Sequence, residues 1–89
     1  MNVFNVRDVF RFQDGTTVIV GDGIGLAGLV KNVEADVLVN GNVAERIRIR
    51  GERMPGPAAS QGQRSLETAD VVSWDKEDVR AGRISLRWS

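Results

Sequence analysis

The residues best equipped for chemistry are four arginines, Arg46, Arg48, Arg50 and Arg53, in and just after the run Glu45-Arg46-Ile47-Arg48-Ile49-Arg50. As a strand, this run puts Arg46, Arg48 and Arg50 on one face and Ile47 and Ile49 on the other. Residues 46–53 hold four positive charges and one negative. Guanidinium groups in such a row can grip phosphates or carboxylates through paired hydrogen bonds, which makes these four the candidate partner-binding residues. The alternative is a solvated outer face whose arginines pair across strands with acids such as Glu34 or Asp36. No aromatic residue interleaves with them, as a binder of single-stranded nucleic acid would require.

Other constellations offer less. Gly23-Ile24-Gly25-Leu26-Ala27-Gly28 matches G-x-G-x-x-G. The dinucleotide fingerprint needs a helix next, and Leu29–Val39 reads instead as strand. The glycines are expected to serve tight turning and close backbone packing. Residues 67–78 carry five acids, Glu67, Asp70, Asp75, Glu77 and Asp78, against Lys76, but lack the D-x-D-x-D-G spacing that wraps a cation. Trp74 and Trp88 are expected at the core or its rim. The chain contains neither Cys nor His, so disulfides, Cys/His zinc sites and Ser–His or Cys–His nucleophile pairs are closed to it. The expectation is a non-catalytic chain with no cofactor and no metal.

These residues must be positioned by strands. Phe4 to Phe12 alternates, with Phe4, Val6, Phe10 and Phe12 on one face and Val9 as the exception; Asp8 suggests a bulge or a strand that begins at Val9. Asp14-Gly15 is a hairpin signal, and Thr16–Val20 is the returning strand. The glycine-dense stretch 21–28 predicts a corner or a bulged strand. Short apolar runs at Leu29–Val33 and Asp36–Val39 lead to a second hairpin signal, Asn40-Gly41. Residues 51–65, with Met54-Pro55-Gly56-Pro57, read as a long loop. A strand is expected at Ala69–Trp74, a turn at Asp75–Asp78 and a closing strand at Arg83–Trp88, with Ile84, Leu86 and Trp88 inward. The expected fold is all-β: one domain over residues 1–89, a small antiparallel β-barrel of six to seven short strands.

Twelve basic residues balance twelve acidic ones, so no global field favours nucleic acid or acidic membranes. No apolar run approaches the ~20 residues that cross a bilayer. Met1-Asn2-Val3-Phe4 lacks the basic and long apolar regions of a signal peptide, and a cytoplasmic location is expected.

The order of elements resembles the second domain of translational GTPases such as elongation factor Tu. The likeness lies in Val9-Phe10, Asp14-Gly15-Thr16-Thr17-Val18-Ile19-Val20-Gly21, Gly28-Leu29-Val30-Lys31-Asn32-Val33, Asp36-Val37 and Val79-Arg80-Ala81-Gly82-Arg83-Ile84-Ser85-Leu86. It implies a β-barrel that contacts other macromolecules. No G-x-x-x-x-G-K-[ST] occurs, so GTP hydrolysis is not implied. The expectation is a binding module for a macromolecular partner, first of all a protein, at Arg46–Arg50 and the neighbouring 51–65. An RNA- or ribosome-associated module and a small-ligand-binding barrel are the alternatives, and an antiparallel edge leaves self-association open.

Overall fold

The computed structural model describes residues 2–24, 26, 28–53 and 63–89. Seven strands form one antiparallel sheet: β1 (Asn2–Arg11), β2 (Thr17–Ile24), β3 (Val33–Val39), β4 (Asn42–Ile49), β5 (Gly51–Arg53), β6 (Gln63–Thr68) and β7 (Ile84–Trp88). Their order across the sheet is β4-β3-β7-β1-β2-β6-β5. Among the described residues one short helix, α1 (Lys76–Arg80), precedes β7 and packs on β1.

The two hairpins form where the turn chemistry demands them. At Gln13–Gly15 the Phe12 N–H donates to the Thr16 carbonyl at 2.8 Å, and Gly15 N–H donates to the Phe12 carbonyl at 3.1 Å. The Asp14 carboxylate accepts from Thr16 N–H at 2.9 Å, which holds its pKa below the ordinary range. Asn40 and Gly41 both have positive φ, 52° and 81°, the pairing that a tight two-residue turn requires.

Two bulges reset which residues face inward. Val6 pairs with Gly21 and Asp8 with Val20, so Arg7 is the extra residue in β1. Phe4 and Val6 are fully buried before it; after it Val9 packs on the core, while Phe10 is 49% and Phe12 42% exposed. The expected Phe4-Val6-Phe10-Phe12 face is therefore corrected: one inserted residue inverts the alternation. A second irregularity lies opposite Val37 and Leu38, where Ala44 is the extra residue in β4; Val37 and Leu38 are both buried. The core unites Phe4 and Val6 with Ile19, Ile47, Ile49, Leu66, Ile84 and Leu86. Trp88 is buried with them, and Ile84, Leu86 and Trp88 face inward as their spacing predicts.

β4 and β5 occupy opposite ends of the sheet order, yet only Arg50 separates them in the chain. The sheet therefore curls back on itself without a continuous ladder to close it. Side chains bridge the seam. Thr68 Oγ1 donates to the Arg48 carbonyl at 2.7 Å, and the Asp70 carboxylate accepts from Arg48 N–H at 2.8 Å. Arg50 N–H donates to the Glu67 carbonyl at 2.8 Å. The antiparallel all-β expectation holds; closure into a barrel is not reached.

Three further expectations are corrected. Gly51–Arg53 and Gln63–Ser65 are strand rather than loop, and residues 54–62 lie outside the described residues. The strand before Trp74 is Gln63–Thr68, not Ala69–Trp74. Its inward positions include the polar Arg64 and Thr68, so hydrophobic alternation conceals it. Asp75–Asp78 is not a plain turn: Asp75 caps α1 by accepting from Glu77 N–H at 2.8 Å, and Glu77 and Asp78 sit in its first turn. Gly82, with φ 74°, follows the helix.

Candidate functional site

The arginine face lies where the alternation puts it, exposed on β4, but its charges are taken. Register sets Arg46 opposite Asp36 and Arg48 opposite Glu34. Arg46 Nε meets Asp36 at 3.1 Å, and Arg48 Nη2 meets Glu34 at 2.9 Å. Arg53 binds Glu67 at 2.6 Å and lies 4.9 Å from the centroid of the Phe12 ring. Exposed pairs of this kind contribute about 0–1 kcal/mol each, and they neutralise the field an anionic partner would feel. Arg50 is the one member of the four without a side-chain partner among the described residues.

The first part of the glycine motif lies in a strand. β2 runs through Gly21 and Gly23, and no helix follows it among the described residues; Gly25 and Ala27 lie outside them. Between this corner and β5 sits a charge pair that the sequence reading did not foresee. Glu52, whose side chain is 6% exposed, takes two 2.6 Å bonds from Arg64, itself 21% exposed. Glu52 also accepts from Val30 N–H at 3.1 Å, and Arg64 donates to the Gly28 carbonyl at 2.6 Å. The Arg64 bonds, aided by that of Val30, hold the Glu52 carboxyl below its ordinary range against the opposing effect of burial. These bonds fasten residues 28–30 to the sheet. Among the described residues, no cluster of acids has metal-binding geometry, and no helix is long and apolar enough to cross a membrane.

A different surface gathers groups that remain unengaged. A cleft of about 570 Å³ separates the second half of β1 from the segment leading through α1. Val9 and Phe10 line one side; Val72, Trp74 and Val79 line the other. Arg11, Lys76 and Arg80 line it as well, against one acid, Asp8. None of these three cations makes an ion pair among the described residues. Trp74 is half-buried and fixed by its indole N–H, which donates to Glu45 at 3.2 Å.

Backbone groups open onto this cleft too. β7 pairs with β1 only over Asn2–Asn5, so Asp8–Arg11 is paired on the β2 side alone. The Phe12–Thr16 bond sets the phase of that ladder, and hydrogen-bonded pairs then fall at Phe10/Val18 and Asp8/Val20. Val9 and Arg11 consequently direct their N–H and C=O groups away from β2. The Val9 N–H is met by the Asp8 carboxylate at 2.9 Å.

The sequence reading missed this cleft because it depends on the bulge at Arg7, which turns Phe10 outward, and on α1. The signal available was the density of cations beside aromatics, Phe10-Arg11 and Trp74-Asp75-Lys76. No protein-family model matches the chain, and neither a curated protein nor a solved structure shows significant similarity to it.

Proposed function

We propose that this chain is a non-catalytic binding module for a protein partner and that the partner docks in the cleft between β1 and α1. The observation that carries the reading is the convergence of three cations, none in an ion pair among the described residues, on a partly apolar cleft beside a strand edge that β7 leaves unpaired. Apolar surface supplies the attraction and charge supplies orientation and choice of partner. Sequence alone placed docking at Arg46, Arg48, Arg50 and Arg53; three of these already hold carboxylates of their own chain. A polynucleotide is the less suited occupant, since Asp8 stands in the cleft and the chain is neutral as a whole.

Panning a random peptide library displayed on phage against the immobilised chain tests this. Enriched clones should lose binding to the variant R11E/K76E/R80E and keep it on R46Q/R48Q/R50Q/R53Q. The converse pattern would move docking to the arginine face. Failure to enrich any clone, with capture of single-stranded RNA that weakens steeply with salt, would replace the protein partner by a nucleic acid.

A further inference from the structure

We infer that the occupant of the cleft is an extended, acid-rich segment of another protein that adds to β1 as a strand along Val9–Arg11; this rests on the cleft being the docking site. Three features specify that chemistry. First, Arg11 presents both its N–H and its C=O to the cleft, and Val9 presents its C=O, while the Val9 N–H is already taken by Asp8. An incoming backbone therefore finds a short ladder of two acceptors and one donor. Second, Val9, Val72 and Trp74, all packed against the core, offer apolar contact to side chains on one face of such a strand. Side chains on a strand alternate in direction, so apolar residues at every second position are required. Third, Arg11, Lys76 and Arg80 call for carboxylates in that segment, since they make no ion pair among the described residues.

The charges on this edge also explain why a second copy is the poorer occupant. Copies pairing through Asp8–Arg11 would bring the same three cations together, and charged edge residues oppose such pairing. Asp8 adds selectivity: a bound strand must leave the Val9 N–H to its present partner or displace the carboxylate.

The test uses the full chain, labelled with ¹⁵N, and a capped decapeptide alternating Glu or Asp with Val and Leu. At saturation the Arg11 amide should exchange with solvent at least about tenfold more slowly, as a newly bonded strand amide does. A peptide of the same side chains, N-methylated at every bond, should bind about tenfold weaker or less well still, because it cannot complete the ladder. Exchanging its acids for Lys should abolish binding, and R11Q/K76Q/R80Q should weaken binding of the acidic peptide about tenfold. Equal binding of the N-methylated peptide with unchanged Arg11 exchange would overturn strand addition and leave docking in the cleft standing. No binding of the decapeptide, while phage clones still depend on Arg11, Lys76 and Arg80, would overturn the acid-rich segment alone. Loss of both would remove the proposed function as well.

Discussion

Gly21→Ala is expected to destabilise the fold by about 3 kcal/mol, at the upper end for overpacking, because the strain falls on backbone. A Cβ at Gly21 would land on the carbonyl oxygen of Asn5 and against the Phe4 ring. Asn5 cannot retreat: it pairs with Asp22 on one side and Ser85 on the other, in the middle of the sheet. For a chain of this size the loss corresponds to a fall of roughly 12–24 °C in Tm. Gly51→Ala is the control. No described residue lies within 4 Å of a Cβ there, and the substitution should change stability by less than about 1 kcal/mol. Thermal melts of the two variants check both figures, and equal melting temperatures would refute this account of the β1–β2 contact.

Glu52→Ala should destabilise the fold by about 2–4 kcal/mol, since it leaves the Val30 N–H without its acceptor and the Arg64 charge with only the Gly28 carbonyl. Breaking one side of a buried pair is worse than removing both. E52L/R64M should accordingly recover most of the loss, because neither charge then needs a partner. The pair also gives a pH signature. The folded-state pKa of Glu52 is depressed below its ordinary 4.5. Its contribution to stability is therefore complete above about pH 5 and is lost as pH falls through the folded-state value. Denaturant midpoints measured between pH 7 and pH 3 should decline more steeply in the wild type than in E52L/R64M. Parallel curves would show that Glu52 is not a significant part of acid sensitivity.

Much of the fold was legible because turn chemistry and alternation agreed. Asp14-Gly15 and Asn40-Gly41 made their hairpins, Ile47 and Ile49 faced inward opposite Arg46 and Arg48, and Ile84-Leu86-Trp88 closed the core. The failures share a physical cause: backbone events that composition hides. One extra residue at Arg7 reversed the orientation of Val9 and Phe10. Strand β6 was missed because Arg64 and Thr68 occupy inward positions that polar residues seldom hold. They do so through bonds to Glu52, Gly28 and Arg48 that only the fold supplies. The helix was missed because five residues carry no full apolar period.

The candidate site shows the same division. The arginine stripe was visible at once, as was its pairing with Glu34 and Asp36. The cleft was not, since Phe10 and Arg11 lie more than sixty residues from Trp74, Lys76 and Arg80. Only the packing of α1 on β1 brings them together.

The most direct measurement of where this chain docks a partner is an NMR titration of the ¹⁵N-labelled protein with the acidic decapeptide, followed at its two indole N–H signals and at the backbone. The cleft requires the Trp74 indole and the amides of Val9–Arg11 and Val72–Arg80 to shift together, while the buried Trp88 indole stays in place. Shifts confined to Arg46–Arg53, or none at any concentration, would contradict it.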